Sequence, residues 1–146
     1  MGKLLDKLYG ILPVWTLTVV FVAVILVLTL FKAPQAPDVV KLWPHADKGV
    51  HALMFGALFF VAAIERAYAR KRSSKKLFGE ALMAIFAWCA LLGAVIELVQ
   101  PYFHRSCDPA DFLADVAGIL AAWPFAWRAA RQIHNNNSDK KTINNN

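Results

Sequence analysis

The sequence predicts an all-α protein, a four-transmembrane-helix bundle with both termini cytoplasmic. Three observations predict it. Hydrophobic residues make up 58% of the 146-residue chain, and the mean hydropathy is +0.45, above the roughly 45–50% apolar usage of a soluble domain. The excess falls in four runs, residues 11–31, 49–64, 77–99 and 112–127, separated by short polar connections. Lys and Arg are unevenly placed: twelve of the sixteen lie in the tails and in segment 65–76, and Lys32, Lys41, Lys48 and Arg105 occupy the other two connections. By the positive-inside rule the tails and segment 65–76 are cytoplasmic, and segments 32–48 and 101–111 face outward.

The length leaves room for one domain. Residues 1–134 form the expected membrane domain, and the Asn-rich stretch 135–146 reads as a disordered polar tail. A net charge of +6 would suggest nucleic acid in a soluble chain. Here the cations read as topology determinants, so no nucleic-acid partner is expected and membrane lipids are. The expected location is the cell's inner (cytoplasmic) membrane, crossed several times.

The first run holds no charge over residues 11–31, and its polar groups are Thr16, Thr18 and Thr29. As a helix starting near Leu12 it is long enough for a hydrocarbon core of about 30 Å. Lys3 and Lys7 resemble the basic end of a signal peptide. The apolar stretch exceeds the ~7–15 residues of such a core, and Pro34 and Pro37 crowd any cleavage site, which favours an uncleaved helix. The second helix opens at His45-Ala-Asp47-Lys48-Gly-Val-His51. Asp47 suits the positive end of the helix dipole and shares a face with His51. Gly49, Ala52 and Gly56 form a small-residue face that allows close helix contact.

The third helix ends in Glu97-Leu-Val-Gln100 and is stopped by Pro101. Glu97 and Gln100 share a face one turn inside the outer end. The turn after it contributes His104, Arg105 and Asp108, and Arg105 carries the planar fork suited to phosphate or carboxylate. The fourth helix begins near Asp108-Pro109 and places Asp111, Asp115 and Gly118 on one face. Trp123 and Trp127 suit an inner aromatic belt. Cys89, mid-helix, and Cys107, in the outer turn, are too far apart to bridge and read as free thiols.

Helix two starts outside, helix three ends outside and helix four starts outside. Topology alone therefore brings Asp47, Lys48, His51, Glu97, Gln100, Arg105, Asp111 and Asp115 to similar depth. Ionisable groups at such depth are costly and point to function. Two chemistries fit. In one, Arg105 and Lys48 recognise an anionic head group while carboxylates hold them in place. In the other, His51 and Glu97 are the acid–base groups of a membrane enzyme, or Glu97, Asp111 and Asp115 with His51 hold a divalent cation such as Mg²⁺, Ca²⁺ or Mn²⁺. A transporter fits less well, since no inverted repeat is evident.

The order Asp47-Lys48-x-x-His51 with Phe55 and Leu58, Glu97-x-x-Gln100, Arg105, and Asp111-x-x-x-Asp115-x-x-Gly118 resembles the VanZ-like family of small multi-helix bacterial membrane proteins. The resemblance spans Asp47 to Ala122. Family members often carry Asn where this chain has Asp115, so one more negative charge enters the site here. The family is named for a member linked to teicoplanin resistance. The resemblance implies a membrane location and an antibiotic-resistance association, and it supplies no reaction. The ligand expected from the site itself is an anionic lipid or a cell-envelope precursor such as a lipid-linked cell-wall precursor.

Overall fold

The computed structural model describes residues 13–31, 46–69, 76–103, 105 and 107–143. Lys32, Lys41, Trp43, His45, His104 and residues 70–75 of the basic segment lie outside that description. The fold is an all-α bundle: α1 (Thr16–Leu30), α2 (Ala46–Ala69), α3 (Lys76–Val99) and α4 (Pro109–Ile143), with a 3₁₀ turn at Gln100–Phe103 between α3 and α4.

Among the described residues, three stretches are long and apolar enough to cross a membrane: Ala46–Ala69, Gly79–Phe103 and Pro109–Ile133. The first apolar run differs from the expectation. Its described helix has 15 residues, about 22 Å at the α-helical rise, and starts at Thr16 rather than near Leu12. The cause is local. Pro13 opens a turn in which its carbonyl accepts the Thr16 N–H at 3.2 Å and hydroxyl at 2.7 Å, and Trp15 takes a left-handed φ of 77°. At its other end α4 remains helical to Ile143, into the stretch where polar composition suggests disorder. No Gly or Pro interrupts the chain between residues 125 and 143, so nothing local stops the helix.

The surface pattern is inverted relative to a soluble bundle. Leu53 is 76% exposed and Leu98 69%, whereas Asp115 is 1% exposed. Each long helix turns one stripe inward, and the stripe that carries the apolar core carries ionisable residues at one end. On α2 it runs His51, Phe55, Leu58, Phe59, Ala62. On α3 it runs from Leu82 through Cys89 to Ile96, Glu97 and Gln100, and on α4 from Asp111 and Asp115 to Ile119 and Ala126. Trp123, expected in an aromatic belt, is half-buried and stacks on Phe59 with ring centroids 5.4 Å apart. Phe86 meets the same indole edge-on at 6.1 Å. Trp127 is exposed, Cys89 is a buried free thiol and Cys107 an exposed one.

The most extensive contact joins α2 to α4. Gly56 faces Gly118 and Ala122: a Cβ at Gly56 would meet the Gly118 carbonyl oxygen at 2.9 Å. A Cβ at Gly118 would overlap the Ala52 carbonyl oxygen. The small-residue face is thus used within the chain, by Ala52 and Gly56; Gly49 has no neighbour at that range. Lipid tails are as apolar as leucine, so close packing of this kind carries much of the association between membrane helices. Contacting positions on α2 and α4 rise together along the two helices, Ala52 and Gly56 against Gly118 and Phe59 against Trp123, so the helices run parallel.

The first turn of α1 is fastened by α2. Trp15 supplies no capping side chain. Instead the Glu65 carboxylate accepts the Leu17 N–H at 2.9 Å, the Thr18 N–H at 2.9 Å and the Thr18 hydroxyl at 2.5 Å. Glu65 is 1% exposed. It satisfies the orphan donors that every helix start presents.

Gly118→Ala is expected to cost about 1–3 kcal/mol, the range for overpacking a tight contact. The readout is the thermal unfolding midpoint of the detergent-solubilised protein. An unchanged midpoint contradicts the contact.

Candidate functional site

Three helix ends converge at the end of the bundle remote from Glu65. The first two turns of α2 bring Asp47, Lys48 and His51. The last turn of α3 brings Glu97, and the first two turns of α4 bring Asp111 and Asp115. Asp108 caps α4: its carboxylate accepts the Ala110 N–H at 2.9 Å and its carbonyl the Asp111 N–H at 2.9 Å. Pro109, whose missing N–H costs nothing in a first turn, follows it. The Asp108 N–H in turn donates to the Glu97 carboxylate at 3.2 Å, so α3 ties down the start of α4.

Two layers of polar contact follow. In the outer one, the Lys48 ammonium lies between the Asp108 carboxylate at 2.7 Å and the Asp111 carboxylate at 2.9 Å. Its hydrogen bond, joined by that of the Ala110 N–H, holds the Asp108 carboxyl below the ordinary aspartate range. In the inner layer, His51 Nδ1 lies 3.0 Å from Asp115 Oδ1, and the two residues are 2% and 1% exposed. An ionised carboxylate only accepts, so with Asp115 ionised and the imidazole neutral the contact puts the proton on Nδ1 and leaves the Nε2 lone pair available. Gly93 of α3 makes room for Asp115: a Cβ there would approach its Oδ2 at 2.9 Å.

Candidate ligand atoms of His51, Glu97 and Asp115 all lie within 4.8 Å of one another, as do those of Asp47, His51 and Asp111. The first group is wholly buried, with Glu97 4% exposed, and in the second Asp47 is exposed. Among the described residues, five carboxylates therefore gather around one ammonium and one imidazole. Such a cluster suits the handling of protons or a cation. One nitrogen and several carboxylate oxygens form a donor set for a divalent ion.

One candidate, Arg105, is directed elsewhere. The Arg105 guanidinium donates to the Leu28 carbonyl of α1 at 3.3 Å, rather than to Glu97 or Asp111, and its N–H donates to the Gln100 carbonyl at 3.2 Å. Gln100 is buried at the start of the 3₁₀ turn. Together with the edge-on contact of Phe31 and Phe103 at 6.0 Å, Arg105 ties the turn to the end of α1.

The VanZ/LLP1 family model matches residues 14–130. The chain belongs to the VanZ/LLP1 family. The match takes in α1 and every residue of the polar cluster. No curated protein and no solved structure matches the chain. With its apolar helices, this VanZ/LLP1 chain is a multi-pass membrane protein.

Two contributors were not singled out from the VanZ/LLP1 sequence. Gly93 stands four residues before Glu97 on the same face of α3, and that spacing is the signal that could have found it. Glu65 was counted with the basic segment that follows it. Its signal is an acid closing a long apolar run, one turn after Ala62.

Removing the Lys48 ammonium by Lys48→Met is expected to lower the unfolding midpoint at neutral pH. Asp108 is depressed in the folded state, so its share of the stability is present above the ordinary carboxyl value of 3.8 and is lost as pH falls below it. Solvent screens a side chain that is 45% exposed, which keeps this share small. The gap between wild type and variant should narrow below about pH 3.8; a gap that stays constant with pH sinks the assignment.

Proposed function

We propose that this VanZ/LLP1 protein binds an anionic lipid or lipid-linked cell-envelope precursor at the outer face of the bacterial cytoplasmic membrane, and acts on it through the cluster of His51, Asp115 and Glu97. The observation that carries this reading is the buried contact of His51 with Asp115 at 3.0 Å beside Glu97. An imidazole oriented by a carboxylate is a general acid–base group. Three such groups among apolar helices are costly to bury, and packing alone gives no reason for them.

In the proposed chemistry Asp115 fixes the His51 tautomer, and Nε2 takes or returns a proton at the substrate. Glu97 is the second acid–base group. The alternative use of the same atoms is a divalent cation held by His51, Glu97 and Asp115. The outward orientation is supported by the twelve cations in the tails and segment 65–76. A link to glycopeptide resistance follows if the substrate is a cell-wall precursor.

A second reading, binding without chemistry, is favoured by one observation. Lys48 and Arg105 bring two cations to this end of the bundle, and Lys48 remains 32% exposed at its side chain. Its hold on Asp108 and Asp111 makes Lys48 a brace, which leaves anion recognition to Arg105.

The deciding experiment compares lipids and lipid-linked precursors in cells with wild type, His51→Ala and Asp115→Asn. A covalently changed species should accumulate with wild type and fall about 10²- to 10⁴-fold with His51→Ala, the share general acid–base groups supply. A species merely redistributed, with a change in teicoplanin susceptibility abolished by Arg105→Ala, identifies binding instead. No difference from cells lacking the protein rejects both readings. Metal analysis of purified protein decides the cation version: bound divalent ion in wild type, lost in Asp115→Asn, supports it, and none in either removes it.

A further inference from the structure

At the end of the bundle opposite His51, where Glu65 clasps α1 to α2, a cavity of about 800 Å³ lies between α1, α2 and α3. That volume lies within the roughly 300–1,000 Å³ typical of small-molecule sites. Its walls are almost wholly apolar. Val19 and Val22 come from α1, and the small side chains of Ala62, Ala81 and Ala84 hollow out the opposing faces. Val19 is 65% and Trp88 44% exposed, so the hollow is open sideways. In a bilayer that side faces acyl chains, and apolar walls of this kind are not held by water.

The rim is different. Arg66 near the end of α2 and Glu80 near the start of α3 both line the cavity, as does Trp15 at the turn before α1. Opposite charges flank one mouth, beside an indole of the sort that sits at head-group level. Thr18, also in the lining, is held in place by the Glu65 carboxylate, so the spacing of α1 from its neighbours is built and not incidental.

We infer that this cavity is a binding site for one glycerophospholipid whose head group carries both a phosphate and a primary ammonium. An acyl chain fills the hollow between Val22, Ala62 and Ala84. The phosphate lies beside the Arg66 guanidinium, whose planar fork suits it. The ammonium lies beside the Glu80 carboxylate, and this charge complementarity selects a zwitterionic amine head group over an anionic one. The site is separate from the His51 cluster and stands whatever that cluster does.

The test is native mass spectrometry of the full chain released from micelles into a mixture of phosphatidylethanolamine, phosphatidylglycerol and phosphatidylcholine. Wild type should retain one phosphatidylethanolamine per chain. Ala84→Trp, which fills the hollow, should reduce retention about tenfold, whereas Leu98→Trp, on an exposed face outside it, should retain the lipid fully. Glu80→Gln alters an exposed side chain and carries the test if Ala84→Trp does not fold. It should keep lipid binding but abolish the preference for phosphatidylethanolamine over phosphatidylglycerol. Equal retention by wild type and Ala84→Trp, retention of detergent alone, a preference untouched by Glu80→Gln, or dimerisation that Ala84→Trp abolishes in place of lipid loss would each overturn the assignment.

Discussion

The close approach of α2 to α4 is the constraint on which the polar cluster depends. Gly56 and Gly118 carry no Cβ to hold the backbones apart, and Ala52 presents its carbonyl directly to Gly118. From that crossing the parallel register does the rest. One position before Ala52 is His51, and three before Gly118 is Asp115, which it meets at 3.0 Å. A further turn back, Lys48 reaches Asp111 and Asp108. Widen the crossing and the short His51–Asp115 contact opens first, while the longer Lys48 stem can follow part of the shift.

The cluster is graded. Its outer edge holds an ion pair of ordinary strength, half exposed and open to solvent or head groups. Its inner part holds histidine and carboxylates nearly removed from any surface. Pairs of that inner kind are poor sources of stability, since desolvation offsets the attraction, and their presence beside Gly93, which leaves room for a carboxylate and nothing more, points to a use for the groups themselves. Lys48 and Arg105 play unequal parts at this end. Lys48 is locked between acids, and Arg105 reaches across to the carbonyl of Leu28.

Much of this arrangement was legible in the chain alone. Helix ends at Pro101 and Pro109, the inward stripes and the convergence of His51, Glu97, Asp111 and Asp115 follow from spacing and from which end of each helix faces outward. What spacing could not supply is lateral: which carboxylate meets which cation. Arg105 was a natural partner for Glu97 or Asp111, but the backbone N–H of Asp108 occupies Glu97 and Lys48 occupies Asp111. The start of α1 was misplaced for a different reason. Hydropathy is blind to Pro13, whose turn displaces the first helical residue to Thr16. Trp123 looked interfacial by type, and only the neighbouring rings of Phe59 and Phe86 show it packing inward.

The Glu65 clasp bears on how such a chain is assembled. The acceptor for the first N–H groups of α1 lies 47 residues further along, at the far end of α2. While the chain emerges from the ribosome, the leading donors of α1 have only water or head groups to bond, until almost all of α2 has been made. Closing that hairpin then fixes both helices at once, at the end opposite the connection between them. Insertion of α1 and its settling into place are therefore two events, separated by the synthesis of an entire helix.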